Sequence, residues 1–412
     1  MALEKRIYPY LSTDPNVKEM ADYAPANGDW SNILAITYDG ARINGQKTKV
    51  FAYLGFPEGV SAEEQVPAVV LVHGGSGHAY AQWVKIWNDR GYAAIAMDTT
   101  GYFPSAAGKG KAGSHGEDTA WWQYGLYGPF AEPGYVNAPN TDRMQNVPHQ
   151  RLEEQWMYHA VVSTILAHNV LRADYRVDSE KIGICGISWG SVIASIAIGY
   201  DTRYAYAIPV YGSGYLESSL TYFGELFAPP KVRKLWSAAD RFDRVAIPTL
   251  LLAWVHDSNF SINASTLSYR AMTHPYTVLC LKQSWKHSHS SGWAPEEIYR
   301  FADSICCGKE PLVTCETEPA GRNLSFTIRK SADTLVTARA YYLTEELSYS
   351  RKNGQFNPTP DQTLWESVAC RVNGTRVAGT LPANAVNYYV ELTAITADGT
   401  YITTTGLVDA RV

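Results

Sequence analysis

Hydrophobic and polar positions change their period several times along the chain. Lys47–Leu54 alternates as a half-buried strand does, and Pro67-Ala68-Val69-Val70-Leu71-Val72 is a continuous apolar run, the pattern of a strand buried on both faces. That run ends at His73-Gly74-Gly75-Ser76-Gly77. Ala79–Arg90 then carries Trp83, Ile86 and Trp87 along one side at helical spacing, Gly91 stops it, and Tyr92-Ala93-Ala94-Ile95-Ala96-Met97 reads as the next strand, closed by Asp98. Arg151–Ala173 has the spacing of a long helix and leads through Val177-Asp178-Ser179 into a short strand, Lys181-Ile182-Gly183-Ile184-Cys185. A small-residue apolar helix follows over Ser191–Ile198. Tyr204–Val210, Ile247–Ala253 and Tyr276–Leu281 are further strands, and Pro295–Cys307 is a helix with proline in its first turn. Strands alternating with helices in this order predict an α/β fold, a doubly wound, mostly parallel sheet with helices on its faces.

Three stretches depart from that alternation. Residues 1–45 mix polar and aromatic character and read as an N-terminal arm. Residues 101–150 and 211–245 read as insertions into the α/β domain of residues 46–312; the first carries Trp121, Trp122, Tyr124 and Tyr127, the second Tyr215, Tyr222, Phe223, Phe227 and Trp236. Long irregular insertions of this kind serve as lids or binding loops. After about residue 315, short alternating runs (Leu324–Ile328, Thr337–Tyr342, Tyr388–Leu392, Tyr401–Thr404) are separated by Asn-Gly, Asp-Gly and proline-rich turns, which predicts a small antiparallel β-sandwich domain over residues 318–412.

At 412 residues, 46% hydrophobic and 18% charged, the chain is long and apolar enough for a large core and two domains. A net charge of -5 with no basic stripe argues against nucleic acid as a partner. No segment is long enough to span a bilayer, and Met1–Arg6 lacks the apolar stretch of a secretion signal. The six cysteines form no C-x-x-C pair, and Cys185 and Cys280 fall in expected core strands; a reduced, cytoplasmic protein is the simplest reading.

Candidate chemistry centres on Gly186-Ile187-Ser188-Trp189-Gly190, between a strand and a helix. A serine in that turn projects its hydroxyl above the sheet edge, and its flanking glycines let strand and helix pass closely. Nucleophilic serine catalysis also needs a base, an orienting carboxylate and donors for the developing oxyanion. Asp257 falls just past the Ile247–Ala253 strand and suits the carboxylate. Trp285-Lys286-His287-Ser288-His289 follows the next strand and offers two histidines; the short loop favours His287 as base, with His289 the alternative. The backbone N–H of Trp189 and that of Gly75, in the glycine-rich loop, are the candidate oxyanion donors. That loop lacks the Lys-Ser/Thr ending of a phosphate-binding loop and the spacing of a dinucleotide fingerprint. His73 reads as a residue holding loop geometry, Asp98 as a loop cap, His256 as a structural neighbour of the acid, and His115 and Glu117 as solvated loop positions. A metal site built from His256, His287 and His289 lacks supporting cysteine or carboxylate spacing.

Taken together, His73–Gly77, Gly91–Asp98, Val177-Asp178, Gly186–Gly190, Asp257 and His287-Ser288-His289-Ser290-Ser291-Gly292-Trp293 resemble the α/β-hydrolase superfamily. Within it they are similar to the branch of dienelactone hydrolases, acetylxylan esterases and prolyl-oligopeptidase-type catalytic domains. The resemblance covers roughly residues 45–310. It implies Ser188 as nucleophile, Asp257 as acid and His287 as base. It further implies a serine esterase acting on small acyl esters, acetyl on a sugar or glycan foremost, with no metal or organic cofactor. A peptidase or lactone hydrolase of the same fold is the first alternative, and a non-catalytic glycan- or protein-binding scaffold the second. No β-propeller precedes the domain, which speaks against an oligopeptidase. The trailing β domain is similar to accessory modules of bacterial esterases in this branch.

Overall fold

Short runs of β-branched and small apolar residues form the central parallel strands, which leave no face for water over Ala68–Val72, Ala93–Met97 and Ile182–Ile187. The computed structural model describes residues 3–25, 30–61, 63–111, 125–129, 133–139, 141–352, 355–359 and 364–412; His115, Glu117, Trp121, Trp122 and Tyr124 lie outside them. The chain forms two compact units, one of Met1–Pro209, Pro229–Trp236 and Ser288–Trp293, the other of Val210–Ala228, Ser237–His287 and Ala294–Val412.

In the first unit, β1 (Ile33–Asp39), β2 (Lys49–Gly55), β3 (Val66–Val72), β4 (Ala93–Met97) and β5 (Val177–Ile187) pair in the order β1–β2–β4–β3–β5. The first two pairings are antiparallel and the last two parallel, with Val70 opposite both Ile95 and Ile184. Helices α1 (Ala81–Asn88), α2 (Trp156–Ala173) and α3 (Trp189–Ala197) cover this sheet. Helix α2 is buried along nearly its whole length, Trp156 to Leu171, so it reads as hydrophobic on every side. Strand β1 lies in the stretch expected to be an arm. Its Ile33, Ala35, Ile36, Thr37 and Tyr38 are all buried, so both faces are covered and the alternation that marks a strand is blunted. Strand β5 is also longer than its apolar core predicts, because Val177 already pairs with Val66. The expected helix over Arg151–Ala173 is interrupted at Gln155, whose extended backbone separates a turn at Leu152–Glu154 from α2.

Strand β6 (Tyr206–Val210) spans the boundary between the units. In the second unit, β7 (Thr249–Trp254) and β8 (Thr277–Lys282) are parallel, joined through α4 (Ile262–Ala271), and α5 (Glu296–Cys306) follows with Pro295 as its N-cap. The remaining strands are antiparallel: β9 (Ser325–Arg329), β10 (Leu335–Leu343), β11 (Glu366–Asn373), β12 (Arg376–Ala378), β13 (Asn387–Thr396) and β14 (Gly399–Thr404). Leu324, Phe326, Ile328, Tyr388, Val390 and Leu392 form their core. The change of texture near residue 315 falls inside this unit, because Thr404 of β14 pairs antiparallel with Leu279 of β8. The Thr404 hydroxyl donates to the Leu279 carbonyl and accepts from the Leu281 N–H, each at 3.2 Å. An outer strand whose backbone groups would otherwise face solvent thus gains a partner.

A buried polar cluster braces the first unit. Asp201, with no exposed surface, receives two bonds from the Arg203 guanidinium and one from His168 Nδ1 at 2.8 Å, while Tyr204 stacks on the His168 ring at 4.0 Å. Burial alone would push the Asp201 carboxyl up, but the Arg203 and His168 bonds hold it well below the usual carboxylate range. Breaking a buried pair leaves a charge without compensation, so Asp201→Asn is expected to cost about 3–5 kcal/mol in denaturant unfolding. Burial also depresses the histidines, His78 to about 3 and His159 to about 4, with His168 lowered too. A folded ring that refuses a proton the unfolded chain accepts contributes stability above the unfolded value, about 6.5, which is lost as pH falls below it. The melting temperature is therefore expected to fall between pH 6.5 and pH 4, less steeply in His159→Gln.

Candidate active site

Ser188 occupies the turn between β5 and α3 with φ 58° and ψ −119°, a conformation costly for a residue with a side chain. The turn exists because its neighbours lack one. A Cβ on Gly186 would stand 2.2 Å from the Gly190 carbonyl oxygen, and a Cβ on Gly190 would stand 1.9 Å from that of Val72. The Ser188 carbonyl accepts the first bonds of α3, from Ser191 N–H at 2.9 Å and Val192 N–H at 3.3 Å. Trp189 is the first residue of that helix, so its N–H belongs to the set with no acceptor inside the helix.

The loop His73–Gly77, at the end of β3, lies against this turn. A Cβ on Gly74 would fall 2.9 Å from Ser188 Cβ, and one on Gly75 would fall 2.7 Å from Trp189 Cδ1. Gly75, Ser188 and Trp189 are thus brought together, with only hydrogen where the loop meets the serine. His73 is buried and holds the loop as expected: Nδ1 donates to the Gly74 carbonyl at 2.7 Å, while Nε2 accepts from Thr99 N–H at 2.9 Å. Asp98 caps the next loop, its Oδ1 accepting from Thr100 N–H at 2.7 Å and Tyr102 N–H at 2.9 Å.

Asp257 and His287 meet in the second unit. The Trp254 indole donates to the Gln283 carbonyl at 3.3 Å, and Val255 N–H donates to the Lys282 carbonyl at 3.2 Å, so the segments leaving β7 and β8 run side by side. Asp257 is fully buried. Its Oδ1 accepts from Asn259 N–H at 2.8 Å and Phe260 N–H at 3.2 Å, and its Oδ2 accepts from His287 Nδ1 at 2.7 Å. An ionised carboxylate only accepts, so His287 carries its proton on Nδ1 and its lone pair on Nε2. The ring stacks on Tyr211 at 4.3 Å and lies parallel to Phe260 at 6.0 Å. Tyr211 is itself held by its hydroxyl, which donates to the Lys286 carbonyl at 2.6 Å, and by a positive φ of 77°. Sequence reasoning missed Tyr211 and Phe260; the one signal for Tyr211 was its place just past the end of β6.

His289 does something else. It starts the one-turn helix His289–Gly292, in the first unit with the serine, where Ser288 Oγ accepts from Ser291 N–H at 3.1 Å. Its Nε2 accepts from Gly74 N–H at 2.9 Å and its Nδ1 lies 3.1 Å from the Tyr80 hydroxyl. His256 is buried beside Trp254, ring edge to face at 6.1 Å. Among the described residues no three metal-ligating side chains converge. Among the described aromatic residues of the insertions, Tyr127, Phe223, Phe227 and Trp236 are buried, with Phe223 stacked on Phe260 at 4.1 Å, whereas Tyr222 is 37% exposed.

No protein-family model and no curated protein matches the sequence at a significant level. Solved structures do match. The acetyl xylan esterase from Paenibacillus sp. R4 superposes with a TM-score of 0.53 at 18% identity, over 74% of this chain and 93% of that one. Acetyl xylan esterase 1 from Thermoanaerobacterium sp. JW/SL YS485 superposes with a TM-score of 0.52 at 13% identity, over 73% and 93%. At such identities the likeness speaks for architecture, and with the β1–β2–β4–β3–β5 order and the strand–serine–helix turn it establishes that the chain has the α/β-hydrolase fold, extended by C-terminal antiparallel strands.

Proposed function

We propose that this protein is a serine hydrolase that cleaves small acyl esters, acetyl esters of a carbohydrate foremost, with Ser188, His287 and Asp257 as its triad. The observation that carries the reading is the strained Ser188 turn with Gly74 of the neighbouring loop against the serine and Gly75 against the Trp189 ring. A residue is held in that conformation only where the surrounding structure enforces it. In the proposed reaction the Ser188 hydroxyl attacks the acyl carbonyl and His287 Nε2 takes its proton. Asp257, through the 2.7 Å bond to Nδ1, fixes the tautomer and stabilises the imidazolium. Gly75 and Trp189 N–H groups donate to the oxyanion of the tetrahedral intermediate. His287 then returns the proton to the departing alcohol, and a water activated by the same ring releases the carboxylic acid and frees the serine. These steps call on no metal or organic cofactor.

A small acyl group is favoured because the Trp189 ring, braced edge-on by Trp156 at 5.1 Å, walls the space beside Gly75. The acetyl and carbohydrate preference draws support from the two fold neighbours, which are named as acetyl xylan esterases. Purified protein is expected to hydrolyse p-nitrophenyl acetate faster than longer acyl esters and to release acetate from acetylated xylan. Cleavage of chromogenic peptides in the absence of ester hydrolysis overturns the reading. A fluorophosphonate is expected to label Ser188. Ser188→Ala should abolish labelling and lower kcat about 10⁶-fold, and Asp257→Asn should lower it about 10⁴-fold. The His287 Nδ1 proton, bonded to a buried carboxylate, is expected to resonate far downfield in the NMR spectrum and to vanish in Asp257→Asn with the fold intact.

A further inference from the structure

His289 stands two residues from the proposed base, yet one of its ring nitrogens is engaged by the loop that flanks the serine and the other by Tyr80 beyond it. We infer that His289 is a positioning residue of the oxyanion loop: its Nε2 anchors the Gly74 N–H and so holds in place the loop that presents the Gly75 N–H. This inference rests on the hydrolase reading above, and it assigns the second histidine a task unlike proton transfer.

The argument follows from peptide planarity. The Gly74 carbonyl and the Gly75 N–H belong to one trans peptide, so they point in opposite directions and turning one turns the other. The Gly74 carbonyl is fixed by two donors, His73 Nδ1 at 2.7 Å and Gly77 N–H at 3.1 Å. The preceding peptide is fixed through the Gly74 N–H, which His289 Nε2 accepts at 2.9 Å. Both peptides around Gly74 are therefore tied, and Gly74 has no side chain to tie them otherwise. The His289 ring is itself constrained. Because Nε2 accepts, the ring is neutral with its proton on Nδ1, which donates to the Tyr80 hydroxyl at 3.1 Å. Tyr80 also packs against the His289 ring at 4.8 Å and against Trp293 at 5.4 Å. Behind it, Gly292 is pressed on Ile187, where a Cβ would meet that side chain at 3.0 Å. The space around Nε2 is filled as well: a Cβ on Gly77 would come within 2.8 Å of it. A ring nitrogen that accepts a backbone N–H in so closed a setting has no lone pair left for a serine proton.

The test compares wild type with His289→Phe, His289→Gln and Tyr80→Phe. Loss of one oxyanion donor costs about 10²–10³ in kcat. His289→Phe is expected to lower kcat by about 10²-fold with KM little changed. It should weaken binding of a trifluoromethyl ketone by the factor lost in kcat/KM, and leave the acid limb of the pH profile in place. His289→Gln, whose amide oxygen reaches the position of Nε2, is expected to recover most of the rate and serves if the phenylalanine variant fails to fold. Tyr80→Phe should fall between. Gly74 amide hydrogen exchange is expected to quicken in His289→Phe with the rest of the unit unchanged. Unaltered kcat, or loss of the acid limb as for a base, overturns the inference. Should the wild type prove inactive on every ester, the hydrolase reading falls. The exchange comparison then still decides: faster Gly74 exchange upholds the anchor, and unchanged exchange refutes it.

Discussion

The backbone of Gly190 passes so close to the carbonyl of Val72 that nothing larger than hydrogen fits between them, and the geometry of the first unit follows from that approach. It sets how closely α3 packs on the end of β3. That closeness bends the chain between β5 and α3 into the conformation Ser188 adopts, and it lays His73–Gly77 alongside. Gly186 serves the same end from the other side, facing the Gly190 carbonyl. Sheet, helix and glycine loop are therefore one packing problem with one solution. The strain at Ser188 is offset by the burial of every residue from Ala68 to Val72 and from Gly190 to Ala197.

Three histidines of similar chemistry are separated by what their nitrogens face. His73 donates through Nδ1 to a carbonyl, and His289 accepts through Nε2 from an amide, so both are spent on backbone. His287 donates through Nδ1 to a carboxylate that also accepts from two amides, and stacking against Tyr211 fixes its plane. The same imidazole thereby meets backbone in two places and a carboxylate in one. The partner of each ring settles its tautomer through the direction of the hydrogen bond.

Much of this was legible in the residue pattern, and the failures have physical causes. Strands β3 and β4 read correctly because continuous apolar runs between glycines have few other destinations, and the strand–serine–helix turn read correctly because its glycines flank it at fixed spacing. Strand β1 was lost because burial on both faces erases the alternation that strand reading relies on. The aromatic residues of the second insertion suggested a binding surface, but composition cannot separate a ring facing solvent from one such as Phe227 that fills a core. His287 and His289 could be ranked by loop length alone; the groups that separate them, Asp257 and Gly74, lie far off in sequence. Tyr211 left only its place past the end of β6 as a signal, because a left-handed conformation in a tyrosine is imposed by its surroundings and has no signature of its own.

The pairing of β14 with β8 has a consequence for how the protein is made. Thr404, which bonds to Leu279, lies 125 residues downstream of it. At roughly 5–20 residues per second, a ribosome takes on the order of ten seconds to travel between them. During that interval the nascent chain displays β8 with one side unclothed. The strand that carries the chain toward His287 thus keeps an unpaired edge until Thr404 is translated.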